Sequence, residues 1–142
     1  MPLSDDAFGF EAERAGQNLA VLAEALYLIN LLWWPGLAFR ILVGLWFKFK
    51  DSAPPLARQH LKQTAFVSLV GGLLIVVLSG LIVGLGGLHW EWTWVTLILY
   101  FTCIHSTLVL FGMYALIKAM NGQMWRFPLI GPAISAVNGK KQ

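Results

Sequence analysis

Among the ionisable side chains inside apolar stretches, where a charge is costly, two stand out. Arg40 interrupts the run 19–47, and His105 lies near the centre of the uncharged run 95–117. Such residues are candidate functional groups by default when a segment crosses lipid. His105, with Thr96, Tyr100, Thr102, Ser106 and Thr107 on the same segment, could relay a proton or ligate a metal or haem; held neutral, it serves as a hydrogen-bonding partner for a neighbouring helix. A metal needs a second ligand at the same depth. His60 and His89 lie at the two edges, and Cys103, two residues away, points to another side of the helix. The balance of these readings favours a structural histidine. Arg40 is about 24 Å of helix from Glu24, too far to pair, and snorkelling to headgroups about 10 Å away satisfies it. Binding an anionic lipid or anionic substrate is the sharper alternative.

Arg58, His60 and Lys62 precede the run 65–88, and Arg126 follows the run 95–117. Together they form a basic rim, whose groups attract anionic headgroups at about 1 kcal/mol each. The same rim could dock a protein. Ser68, Gly72, Gly80 and Gly84 fall on one i+4 ridge, and small side chains there let helix backbones approach closely. Packing against another helix of the same chain is expected first, and a dimer seam second. Nucleophile elbows, phosphate loops, zinc-protease motifs and paired carboxylates are not found, so no catalytic residue and no cofactor is assigned.

The elements that must hold these residues follow from composition. In 142 residues, 58% are hydrophobic and 12% charged, far from the balance of a soluble domain. A fold this small cannot bury that much apolar surface, so the chain reads as an all-α integral membrane protein. A net charge of +3, dispersed along the chain, excludes a nucleic-acid footprint. Three spans are expected. The first is kinked near Pro35-Gly36 and placed at about 27–47 or 19–39; the second and third are the uncharged runs. From Leu56 a helix can run through Arg58, His60, Lys62 and Gln63 into the second span as a short cytoplasmic stem. After the third span, Asn121-Gly122 makes a cap, and 129–137 forms a short interfacial stretch.

Lys and Arg set the orientation. They cluster between the first and second spans and after the third, whereas 89–94 carries none. The positive-inside rule places both basic segments in the cytoplasm and, with three spans, the N-terminus outside; a re-entrant first segment with the N-terminus inside is the alternative. Trp90, Trp92 and Trp94 match the outer interface, and Trp46 and Trp125 the inner one. The chain then divides into an acidic N-terminal segment 1–18, a membrane domain 19–130 and a basic tail 131–142. The acidic start does not read as a cleaved signal.

Pro54-Pro55-Leu56-Ala57-Arg58-Gln59-His60-Leu61-Lys62-Gln63-Thr64-Ala65-Phe66 resembles the stem of the small bacterial Tic-twenty-like membrane proteins, a domain of unknown function that includes magnetosome-membrane members. The segment Ile117-Lys118-Ala119-Met120-Asn121-Gly122-Gln123-Met124-Trp125-Arg126-Phe127-Pro128-Leu129-Ile130 looks like that family's closing motif. Its usual Asn-Phe stands here as Ala65-Phe66. The resemblance covers about 19–130 and implies a helical, membrane-integral protein. Plastid relatives belong to a protein-import translocon, a function that fold analogy does not transfer.

The expectation is a non-enzymatic inner-membrane scaffold or assembly factor using the basic rim. A small oligomeric transporter or channel subunit built on the polar third helix is the alternative. Expected partners are the lipid bilayer, anionic headgroups, and either a membrane-protein partner or further copies of the chain.

Overall fold

The computed structural model describes the backbone of residues 5–126 and the side chains of 9–126. The tail 131–142, the interfacial stretch 129–137 and the closing motif beyond Arg126 lie outside the described residues. Four helices follow one another: α1 (Asp5–Leu32), α2 (Leu37–Phe49), α3 (Pro55–Gly86) and α4 (Glu91–Met120). Three helical segments are long and apolar enough to cross a membrane: Gly9–Leu32, Pro55–Gly86 and Glu91–Met120.

The expected bend at Pro35 is a complete break. Helix α1 stops at Leu32 and α2 starts at Leu37, because Gly36 takes φ +91°, a conformation that costs a side chain dearly. Neither expected register of the first span is therefore realised. Thirteen residues make α2 about 20 Å long, and it turns back along α1. Ala38 and Leu42 share a core with Ala23, Leu26 and Leu61, flanked by Leu19, Leu45, Trp46 and Phe49. The return is fixed at its end, where Pro54 fills the space over Gly16; a Cβ on Gly16 would lie 2.9 Å from Pro54 Cγ.

The other contacts give the helix directions. Gly16 meets Pro54 and Glu24 meets His60, so α1 and α3 run parallel. Gln17 donates to the Met120 carbonyl and Tyr27 to the Leu108 carbonyl, so α4 runs antiparallel to α1. It also runs antiparallel to α3, from Thr93 against Gly86 to Gln123 against His60. The start of α1, the α2–α3 turn and the end of α4 thus gather at one end of the bundle. A single crossing by the first apolar run would have put the start of that run and the end of α4 at opposite ends; α2 brings the chain back.

Helix packing rests on small residues. Gly16, Ala20 and Ala23 line α1, Ala57, Thr64 and Gly71 line α3, and Gly112, Ala115 and Ala119 line α4, all buried. Backbones can approach closely where side chains are small, and dispersion is the main attraction between helices in lipid. Burial is confined to one half of the bundle. Eight residues of α3 from Ala57 to Gly71 are buried, but from Gly72 to Phe111 only Thr93 is.

A buried polar clamp beneath a basic rim

At the end where the helix termini meet, the seam carries polar groups. Glu24 lies on the small-residue face of α1, eight positions after Gly16 and four after Ala20. His60 occupies the matching face of α3, with Ala57, Leu61 and Thr64 around it. Both are fully buried, and His60 Nδ1 lies 2.6 Å from Glu24 Oε1. The other ring nitrogen, Nε2, is 3.2 Å from the carbonyl oxygen of Gln123. A carbonyl can only accept, so Nε2 carries a hydrogen and donates. One further proton is then shared between Nδ1 and the carboxyl group, and the pair is neutral overall whichever atom holds it. Glu24 Oε2 has no hydrogen-bond partner among the described residues.

The segment after α4 closes the clamp. Gly122 takes φ +65° and redirects the chain, the cap expected at Asn121-Gly122. Lys118 Nζ donates to Gln123 Oε1 at 2.9 Å, and Gln59 Nε2 donates to the Trp125 carbonyl at 3.4 Å. The Trp125 ring stands edge-on to Tyr114 at 5.1 Å and tilted against Phe111 at 6.2 Å. Thr64 Oγ1 returns its proton to the His60 carbonyl at 2.8 Å, which satisfies a hydroxyl that would otherwise be stranded in the seam. Histidine and glutamate therefore join three separate pieces of chain: α1, α3 and the α4 exit.

This placement corrects the expected rim. His60 is inside, while Arg58 and Arg126 are exposed and Lys62 is half-buried. Residues two apart on a helix are about 200° apart around it, so His60 cannot share a face with Arg58 and Lys62. Arg58 Nη2 donates to the carbonyls of Ala53 (3.1 Å) and Asp51 (3.4 Å), closing the α2–α3 turn. Lys62 stands at the edge of an apolar groove of about 360 Å³ between α2 and α3, lined by Phe39, Val43, Trp46, Ala65, Phe66 and Leu69.

The other candidates fall elsewhere. Arg40 is exposed on α2. His105 is half-buried on α4, its ring stacked on Phe101 at 5.1 Å. No described contact joins the two. Of the small-residue ridge, Ser68 is buried, but Gly72, Gly80 and Gly84 face open space. The expected packing of this ridge inside the chain is not what the structure has. Gly71 against Leu108, Gly86 against Thr93, and Gly112 against Tyr27 and Leu28 make the close approaches instead. Among the described residues, no three His, Cys, Asp or Glu side chains come together as a metal-binding group.

Long apolar helices with polar groups confined to one seam and one end define a multi-pass helical membrane protein. A model of the magnetosome magnetite crystal formation protein family matches residues 15–134, a stretch that takes in most of α1, all of α2 to α4 and the clamp. The chain belongs to that family. No curated protein and no solved structure is found to match it.

Proposed function

We propose that this protein serves magnetosome formation without catalysis, as a membrane-embedded scaffold or assembly factor. The observation that carries this reading is the family match across residues 15–134, which includes the basic end of the bundle. Arg58, Lys62 and Arg126 are the contact face, held in place by the Glu24–His60–Gln123 clamp behind them. The positive-inside rule supports a cytoplasmic position for this end in the bacterial inner membrane or a membrane derived from it. The start of α1 lies at the same end and shares that side. The wider kinship with Tic-twenty-like proteins, resting on the stem and closing motifs, is part of the same reading.

A photo-crosslinking amino acid at position 58 or 126, in cells that form magnetosomes, tests it. Capture of a defined protein at both positions, lost when Arg58 and Arg126 are exchanged for Glu in the background, is the expected result. Adducts with lipid alone would overturn the scaffold reading.

A further inference from the structure

We infer that α1 and α2 enter only one leaflet, and that the resulting wedge shape makes this protein prefer curved membrane with its basic end on the convex side. The first step is depth. Glu24 lies level with His60 and Gly16 with Pro54, and α1 runs parallel to α3, so the α1–α2 turn, which begins eight residues after Glu24, about 12 Å further on, stands near the level of Gly71 on α3. That level is about 14 Å along α3 from Lys62 and about 22 Å from Gly86. A hydrocarbon core is about 30 Å thick, so the turn sits near its middle. Helix α2, about 20 Å long, is too short to complete a crossing, yet it returns the chain to Gly16 at the starting end.

The turn pairs part of its own backbone, as backbone at membrane depth must. Trp33 and Trp34 N–H both donate to the Ile29 carbonyl at 2.9 Å. Gly36 N–H donates to Asn30 Oδ1 at 2.9 Å, and Pro35 has no N–H. The side chains presented outward are apolar, with Trp33 84% and Trp34 65% exposed, and no charged residue lies between Glu24 and Arg40.

The second step is shape. Below the turn four helices share the membrane plane; above it only α3 and α4 continue, which is why burial ceases beyond Gly71. With each helix about 10 Å across, the basic half occupies about twice the area of the other half. A leaflet on the convex side of a curved bilayer offers more area than its partner, so the wide half fits there with the least lipid strain. This inference stands on the bundle's geometry and is independent of the scaffold reading.

Two measurements test it on the full chain in phosphatidylcholine–phosphatidylglycerol vesicles. A nitroxide at Trp33→Cys, in a Cys103→Ser background, should report a position near the bilayer centre by its collision with oxygen against a water-soluble nickel chelate. A label at either headgroup level would overturn the half-crossing. The unlabelled protein, reconstituted into small sonicated and large extruded vesicles, should reach at least about twofold higher density per lipid on the small ones. Its trypsin-sensitive basic end should face outward there. Equal densities, or enrichment with the basic end inward, would overturn the curvature preference.

Discussion

His60 Nδ1 and Glu24 Oε1 are 2.6 Å apart at a site where neither residue is exposed. Thirty-six positions separate them in the chain, and the pair holds α1 to α3. Removing one member leaves the other buried and unmatched, which costs about 3–5 kcal/mol, whereas replacing both by apolar groups is often close to neutral. Glu24→Leu and His60→Leu should each lower the unfolding midpoint strongly in detergent, and the double variant should recover most of the loss. Additive losses in the double variant would show that the two residues act separately.

The carbonyl of Gln123 is the second partner of the histidine. Truncation after Met120 should therefore destabilise the bundle by about 1–3 kcal/mol, the cost of a buried donor left without an acceptor. It should also make His60, fully buried in the intact protein, accessible to diethyl pyrocarbonate. Unchanged stability and protection would mean that the α4 exit does not close the seam.

Glycines of the bundle divide into two groups with opposite expected responses. A Cβ at Gly112 would sit 2.5 Å from Tyr27 Cε1 and 2.8 Å from Leu28 Cδ2, so Gly112→Ala should destabilise by about 1–3 kcal/mol through overpacking. Gly72, Gly80 and Gly84 have nothing within 4 Å. Alanine there should be neutral or stabilising by up to about 1 kcal/mol per site through helix propensity. Thermal scans of the four single variants check both halves. Destabilisation at 72, 80 and 84 would mean that another surface covers them.

At the α1–α2 turn, Gly36→Ala should cost about 1–2 kcal/mol, because φ +91° brings Cβ against the backbone. Asn30→Leu removes the acceptor of the Gly36 N–H and should cost about 1–3 kcal/mol, the penalty of a stranded donor. Protease sensitivity between α1 and α2 in detergent should rise for both variants.

Much of the fold is legible in the residues. The uncharged runs become α3 and α4, Pro54-Pro55 opens the stem, and Pro35-Gly36 interrupts the first apolar run. What hydropathy cannot supply is direction. A run of apolar residues reads the same whether a helix continues past Pro35 or turns back, and that turn decides which termini share a side. The clamp was partly visible. Ala57, His60, Leu61, Thr64 and Gly71 repeat at helical spacing and put the histidine on the small-residue seam, opposite Arg58 and Lys62. Glu24, on the matching face of α1, is the only acidic residue in the first apolar run, and a buried carboxylate demands a partner. Pairing Glu24 with His60 still needed the parallel course of α1 and α3, which only the three-dimensional arrangement provides.

The closing contacts also impose a timetable on biogenesis. Gln17 finds its acceptor 103 residues later at Met120, and His60 waits for Gln123, 63 residues on. The carboxyl–imidazole pair needs only α1 and α3, whereas both closing contacts need the end of α4, so the seam is completed by the last part of the bundle to be made.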